Sequence, residues 1–283
     1  MLHIGDVNDR ARGLVKRTLA RRGVGAPSAP GATLLIYHRV GGGTRNELDV
    51  EVSTFERHLA ALADHDVVSL DAALDRLEAG DTSPSVVLTF DDGFADVFAH
   101  AWPLLRERQL PFTVYLATAY MGDTMKWEGA TAKGAPGRGL SWDQIRRMQD
   151  TGLLTLGNHT HSHVRPEVLT EAELDACTAA IYQRCGVKPR HFTYPWGIPV
   201  PARVDALRSR FRSASTGVVG RNLPGQDFMR LNRVPVRRTD PDEFFRAKLI
   251  GDLAAERAYG SLVGTAKAGL EAIRQPLRRL RRS

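Results

Sequence analysis

One short stretch limits the folds open to this chain more than any other. Residues 86–90, Val-Val-Leu-Thr-Phe, favour a strand that is buried on both faces. Asp91, Asp92 and Gly93 follow at once, and residues 94–102 then have a helix-like pattern. The two carboxylates therefore stand where a buried strand turns into a helix, which is the ligand-binding end of the sheet in α/β folds.

Two adjacent carboxylates at such a place favour a functional site over a helix cap. One Asp would satisfy the N-terminus of the following helix. A second carboxylate, crowded against the first and drawn out of water, raises the free energy of the fold unless a cation or a chemical task accounts for it.

The rest of the chain alternates between strand-like and helix-like segments, which predicts a parallel, barrel-like α/β domain. Its 283 residues, 42% of them hydrophobic, suffice for one large core. Ser53, Ser141 and Thr170 are predicted helix caps, the last in a capping box with Glu173. The predicted strands span 33–38, 66–70, 86–90, 110–117, 153–156, 191–194, 211–216 and 231–236, and the predicted helices 55–63, 71–79, 94–108, 141–148, 170–184, 202–210 and 240–250.

The net charge of +7 is concentrated at the two ends of the chain. We divide the chain into a basic amphipathic N-terminal segment and linker (1–30), a catalytic domain (31–252) and a basic C-terminal tail (253–283). Two solvated tails are the commoner outcome of such charge, but leucines at spaced positions also fit helices lying on an anionic membrane. Nucleic acid is disfavoured, because no aromatic or base-reading motif accompanies the charge. The basic residues are Arg10, Arg12, Lys16, Arg17, Arg21 and Arg22 at the start and Lys267, Arg274, Arg278, Arg279, Arg281 and Arg282 at the end.

No apolar run approaches the length needed to span a membrane, and the first residues do not resemble a secretory signal. A cytoplasmic location is therefore expected. Cys177 and Cys185 lie eight positions apart on one predicted helix, too far to bond to each other, and we expect free thiols.

Two further predicted strands end in histidines. His38 ends the first strand, and His159, His161 and His163 follow the strand at 153–156. In a parallel barrel these side chains converge with Asp91 and Asp92 on one face. Two histidines and one carboxylate form a three-ligand site with an open position, typical of a catalytic divalent metal. His159 and His163 can converge if their loop curls, whereas His161 could replace one of them if the segment is extended.

Three segments resemble the motifs of the polysaccharide deacetylases, carbohydrate esterase family four. Residues 89–93 (Thr-Phe-Asp-Asp-Gly) resemble the first motif, residues 159–163 the His-Ser/Thr-x-x-His second motif, and residues 194–197 (Tyr-Pro-Trp-Gly) the third. The resemblance implies a deformed (β/α) barrel with fewer than eight strands. It also implies metal-dependent N-deacetylation of an N-acetylated amino sugar in a polysaccharide, an oligosaccharide or a lipid-linked glycan, and it selects His159 and His163 over His161.

The chain departs from the family pattern in two places. Thr193 stands where the family often has an arginine that pairs with the catalytic aspartate, and Arg233 is the candidate replacement. The strand at 231–236 lacks the histidine of the family's final Leu-x-Ile-x-His motif, whereas residues 34–38 match that motif at the front of the chain. This resembles the circularly permuted branch that includes the poly-N-acetylglucosamine deacetylases.

The resemblance implies a role for each candidate residue. Asp92, His159 and His163 would hold the metal, with Asp91 as base, His38 as acid and the Trp196 N–H at the oxyanion. Zinc is favoured by the ligand set, although cobalt, nickel or iron would fit. Two alternatives remain: a metal-containing glycan-binding protein without turnover, which Thr193 favours, and a hydrolase of O-acetyl or other amide bonds. The residues expected to contact substrate are Tyr194, Pro195, Gly197, Arg233 and Trp127.

Overall fold

Seven parallel strands form one curled sheet at the centre of the fold. The structure, a computed structural model, describes residues 4–20, 27–127 and 137–263. The sheet order is β8-β7-β6-β5-β4-β1-β9, and a separate parallel pair joins β2 to β3. The strands are β1 Ala32–Tyr37, β2 Arg39–Val40, β3 Asp49–Val50, β4 Ser85–Phe90, β5 Phe112–Leu116, β6 Leu154–Asn158, β7 His191–Thr193, β8 Ser213–Ser215 and β9 Val234–Pro235.

The two edges of this sheet are joined by a single short segment. Leu231 pairs with Ser215 of β8, and three residues later Val234 pairs with Leu35 of β1. The segment 231–236 therefore closes the sheet into a barrel, and we call it the seam. The predicted deformed barrel with fewer than eight strands is confirmed. The strand predicted at 66–70 is wrong, because only Val67 bridges to Val86 before a helix begins.

Helices cover the outside of the sheet, and every residue of β1 and β4 is buried. The strand cores pack on helix residues such as Phe55, Leu105 and Ile145, each fully buried; burying one such side chain contributes about 1.5–3 kcal/mol. A π-helical turn, Val97–Ala101, precedes α4, and residues 254–263 are also helical. The α-helices are α1 Ile4–Ala20, α2 Val52–Ala61, α3 Leu70–Glu78, α4 Trp102–Glu107, α5 Trp142–Gln149, α6 Glu171–Cys185, α7 Val204–Arg208 and α8 Asp242–Leu249.

Only some of the predicted helix caps are confirmed. Ser141 caps α5 in a capping box with Gln144. Ser53 is not a cap, because α2 begins at Val52 and Glu51 occupies the N-cap position. Thr170 accepts from the Glu173 N–H as expected, but the Glu173 carboxylate turns away to accept from the N–H and hydroxyl of Ser162.

The first helix does not lie free in solvent. It packs on α8, and the Lys16 ammonium is buried 2.7 Å from Asp240, so a solvated or membrane-facing Lys16 is wrong. Lys248 lies 2.5 Å from the same carboxylate and 3.0 Å from Glu256, which also pairs with Arg237. We call these five residues the terminal ion cluster: Lys16, Arg237, Asp240, Lys248 and Glu256.

Much of the chain's terminal charge lies outside the described residues. Positions 21–26 and 264–283 belong there, as do 128–136 of the loop that carries Trp127. Membrane contact and a cytoplasmic location therefore stay predictions. Within the described part, no helix combines the length and the apolarity that crossing a membrane requires. Cys177 and Cys185 are free thiols.

Candidate active site

The motif residues meet in one cavity of about 470 Å³ at the C-terminal ends of the strands. The first-motif carboxylates follow β4, the histidine loop follows β6, the Trp196 turn follows β7, and His38 follows β1. These four separate segments of the chain therefore contribute to one space, as expected for a parallel barrel. The cavity is lined by Ile36, His38, Asn46, Leu48, Asp91, Asp92, Trp127, His159, His163, Trp196, Gly197, Gly217, Arg233, Pro235 and Arg237.

Asp92, His159 and His163 form a compact triad of buried ligand atoms. The Nε2 atoms of His159 and His163 lie 3.3 and 3.4 Å from Asp92 Oδ1. One ligand atom from each residue lies within 4.8 Å of the other two. These separations suit a single cation bound by two nitrogens and one oxygen.

The protonation of the triad also suits a metal. His159 Nδ1 lies 2.9 Å from the Thr193 carbonyl oxygen, so an N–H there donates to it and leaves the Nε2 lone pair for a cation. Burial lowers the pKa of His163 to about 4, which keeps its imidazole neutral near pH 7. Burial raises the pKa of Asp92, but the neighbouring imidazoles of His159, His163 and His38 outweigh this and hold the pKa well below its usual value. Two imidazoles and one carboxylate match the donors that zinc and similar ions take.

The third histidine of the loop points elsewhere. His161 Nδ1 lies 2.9 Å from the Thr118 hydroxyl, and the His161 N–H donates to the Glu173 carbonyl. The loop curls, as the first of the two alternatives required, and His161 is not part of the triad.

The backbone around the cavity is strained where the triad is presented. Asp92 has a φ of 73°, His163 of 50° and Trp196 of 63°, in the left-handed region that side chains with a Cβ seldom adopt. Such conformations persist where the surrounding structure enforces them, and they concentrate at functional sites. Next to His163, Ser162 is held by two hydrogen bonds to the Glu173 carboxylate.

Asp91 is not one of the three clustered ligands and has its own partner, Arg233. The guanidinium donates from Nη1 to Oδ1 at 2.7 Å and from Nη2 to Oδ2 at 2.8 Å, while its Nε donates to the Thr216 carbonyl. Burial raises the pKa of Asp91, but the charge and hydrogen bonds of Arg233 outweigh this and lower it. Arg233 thus occupies the place expected for the arginine missing at Thr193. It is only 1% exposed, and it lies against the aspartate as well as lining the cavity.

His38 reaches the same cavity from the other end of the sequence. Strand β1 lies between β4 and β9, so its C-terminal end is next to Asp91 and Asp92. The His38 Nδ1 is buried and has no hydrogen-bond partner in the described part of the chain. A histidine at the front of the chain is therefore placed beside the motif carboxylates, which is the arrangement that a permuted order requires.

The residues expected to contact substrate divide into two groups. Trp127 stacks on His163 with ring centroids 4.5 Å apart, and Trp196 is 38% exposed at the cavity. Gly197 packs so closely on Gly217 that an added Cβ would lie 2.8 Å from its Cα. Tyr194 and Pro195, in contrast, are buried and are not among the lining residues; Tyr194 packs on Phe192.

Sequence reasoning missed Asn46, Leu48, Pro235 and Arg237 among the lining residues. Arg237 follows β9 by two positions, and its place just beyond a strand end was a usable signal. Asn46 and Leu48 lie in the β2–β3 connection, where no pattern marks them.

Comparison with known proteins agrees with this geometry. Residues 79–210 match the family model described as polysaccharide deacetylase. The curated protein YxkH of Bacillus subtilis (strain 168) is 27% identical over 143 residues, which are 48% of this chain and 45% of the relative. The chain thus matches less than half the length of that relative.

Two solved structures resemble the whole barrel. IcaB from Ammonifex degensii aligns with a TM-score of 0.67 and 29% identity over 78% of this chain and 97% of its own. The Streptococcus pyogenes deacetylase PplD, in complex with acetate, aligns with a TM-score of 0.66 over 79% of this chain and 99% of its own, and its 18% identity supports the fold alone. Residues 79–210, which carry the Asp-Asp-Gly motif, the histidine loop and the Trp196 turn, belong to the polysaccharide deacetylase family.

Proposed function

We propose that the protein is a metal-dependent hydrolase that removes the acetyl group from an N-acetylated amino sugar of a glycan. The observation that carries this proposal is the triad of Asp92, His159 and His163 in one cavity with the separately paired Asp91. An amide is a poor electrophile and water a poor nucleophile, so both must be activated.

Asp92, His159 and His163 would hold the divalent cation, for which zinc is favoured by two imidazoles and a carboxylate. When bound, such a cation polarises a carbonyl group and lowers the pKa of a water molecule toward about 7. The Thr193 carbonyl orients the His159 ring for this task.

Asp91 is the proposed general base. Its bidentate pairing with Arg233 keeps the carboxylate ionised and fixes its orientation, so that it can take a proton from the attacking water. Arg233 holds both carboxylate oxygens of Asp91, which adjoins Asp92 in sequence but is not one of the three clustered ligands.

His38 is the proposed general acid, and the Trp196 N–H the proposed oxyanion donor. The imidazole of His38 lines the cavity beside Asp91 and can deliver a proton to the leaving amine. Without that proton, the nitrogen of the tetrahedral intermediate is a poorer leaving group than the water that was added, and the intermediate would expel the water again. The left-handed conformation of Trp196 turns its peptide at the cavity edge, and the backbone N–H needs no side chain for this role.

The alternative of a glycan-binding protein without turnover rested on Thr193. Arg233 supplies from the seam the guanidinium that Thr193 lacks, so this alternative loses its motivating feature. O-acetyl hydrolysis at the same site stays open to a substrate panel.

Acetate release tests the proposal. The protein, stripped by a chelator and reloaded with Zn²⁺, Co²⁺, Ni²⁺ or Fe²⁺, is incubated with N-acetylglucosamine oligomers and with matched O-acetyl sugars. We expect acetate from the N-acetyl substrates only after reloading. Release from O-acetyl sugars alone, or undiminished release after stripping, would contradict the proposal.

A further inference from the structure

Part of the cavity lining comes from residues outside the three family-like motifs. Asn46 and Leu48 lie between β2 and β3, and Pro235 and Arg237 lie in and after β9. Two arginines, Arg233 and Arg237, line the cavity. They differ in how many of their guanidinium N–H groups already have a hydrogen-bond acceptor.

Arg233 is fully engaged: both Nη atoms donate to Asp91 and Nε donates to the Thr216 carbonyl. Arg237 donates a hydrogen bond from Nη1 to Glu256 Oε1 at 2.5 Å. Its Nε and Nη2 make no hydrogen bond within the described part of the chain, and its side chain is 21% exposed. Arg237 thus lines the cavity and has N–H donors that no acceptor in the described part of the chain takes up.

The positive charges of the terminal ion cluster, to which Arg237 belongs, are not balanced by its buried carboxylates. In the terminal ion cluster three cations, Lys16, Lys248 and Arg237, share the carboxylates of Asp240 and Glu256. Glu47 lies 3.6 Å from Lys16, but it also pairs with Arg12. A positive charge therefore remains on this side of the cavity.

The guanidinium of Arg237 is also held in place. Glu256 binds one end, and the Tyr259 ring lies 5.6 Å from its central carbon. A planar, fixed guanidinium with free N–H groups is suited to carboxylate or phosphate oxygens, which it can bind with two parallel hydrogen bonds. A neutral sugar hydroxyl gains less from such a group.

From these contacts we infer that Arg237 binds an anionic substituent, a carboxylate or a phosphate, on the N-acetylated sugar or its neighbour, so that the enzyme prefers acidic over neutral glycans. This inference rests on the proposed function and specifies its substrate class. Arg237 acts in binding, and the chemistry at the triad and Asp91 is unchanged by it.

Three disaccharides of equal length test the preference in the zinc-loaded protein: di-N-acetylchitobiose, N-acetylglucosaminyl-N-acetylmuramic acid and di-N-acetylchitobiose 1-phosphate. We expect a kcat/KM about 10–100-fold higher for the better of the two anionic substrates than for the neutral one, mainly through KM. The carboxylate and phosphate arms then identify the source of the anion. Added salt should raise KM for the anionic substrate and leave the neutral one nearly unchanged.

Variants locate the effect. Arg237→Gln should abolish the preference, and Arg237→Lys should restore part of it. Arg212→Gln is the matched control, because Arg212 is also a part-buried arginine with carboxylate partners, but it precedes β8 at the opposite end of the barrel.

The inference is overturned if the wild-type protein cleaves the neutral and anionic disaccharides with equal kcat/KM, or if a preference survives Arg237→Gln. In either case hydrolysis of di-N-acetylchitobiose would leave the proposed function standing. If none of the three substrates releases acetate, the proposed function itself fails. The wild-type comparison needs no variant to fold.

Discussion

The protein buries charge in two places, and the two differ in what the charges face. In the terminal ion cluster, Asp240 and Glu256 each contact two cations within 3.0 Å, so the charges of its buried part mainly face one another. In the cavity, the triad and His38 face an open space, His38 Nδ1 and His163 Nδ1 lack partners in the described part of the chain, and Asp92 and His163 have left-handed backbones. Burial of charge is therefore a weak sign of function by itself. Burial together with incomplete pairing, strained backbone and a cavity is a stronger one.

Removing a triad ligand should have the largest effect. We expect Asp92→Ala or His163→Ala to lose bound metal and all measurable turnover, because two ligands do not hold the cation. Asp91→Asn is the matched comparison and should keep its metal while turnover falls about 10²–10⁴-fold. Metal analysis beside acetate release checks both. Loss of metal in Asp91→Asn would show that the two carboxylates share the ligand role.

His38→Ala tests whether the front of the chain supplies the acid. Amide turnover should fall about 10²–10⁴-fold, because the leaving amine needs a proton, with metal content and melting temperature nearly unchanged. An activated aryl acetate needs no such proton, and its hydrolysis should be spared. Equal losses on both substrates together with a lower melting temperature would assign His38 to packing and refute the permuted reading.

Lys16→Met should break the terminal ion cluster and spare the chemistry. Removing one partner of a buried ion pair costs about 3–5 kcal/mol, and the low end is expected here because Lys248 still contacts Asp240. Denaturant unfolding measures this. Arg17→Met is the control: Arg17 is 61% exposed, its carboxylate partner lies 3.9 Å away, and the change should stay within about 0.5 kcal/mol. Equal effects of the two variants would remove the distinction between buried and exposed charges of α1.

His58 gives an effect on stability that depends on pH. It stacks on Phe245 of α8, and burial lowers its pKa to about 4 from the usual histidine value of 6.5. His58 therefore binds a proton more readily in the unfolded chain than in the folded one. The stability that the folded chain gains by burying neutral His58 is fully present above pH 6.5 and is lost as pH falls toward 4. The total is about 3 kcal/mol, at about 1.4 kcal/mol per pKa unit. Unfolding of the wild-type protein and His58→Gln at several pH values measures it; parallel curves would contradict the assignment.

The sequence predicted the barrel and the triad well because their signals are local. An apolar strand followed by Asp91 and Asp92, and the histidine loop after β6, place side chains at strand ends whatever the details of packing. Arg233 and His38 required the resemblance to a family, since their partners lie far away in sequence. Their proximity to Asp91 depends on the order of strands in the sheet, which no local pattern encodes.

The features that the sequence did not predict depend on tertiary contacts. Lys16 belongs to a basic run, and nothing local distinguishes it from Arg17 beside it; burial against Asp240 is decided by how α1 docks on α8. Glu173 has the spacing of a capping-box residue, but a competing partner, Ser162, takes its carboxylate. Arg237 enters the cavity because the seam continues past β9.

The seam ties catalysis to a sparsely paired part of the sheet. Strand β9 pairs with β1 through two residues, whereas β4 pairs with β1 through six. Short pairing lowers the free energy of local opening relative to global unfolding. One opening event at the seam would withdraw Arg233 from Asp91 and displace Arg237 from the cavity, while the triad, carried by the loops after β4 and β6, stays assembled. Mild heating should therefore yield a protein that is folded, still holds its metal and is inactive, and that recovers when the seam closes on cooling.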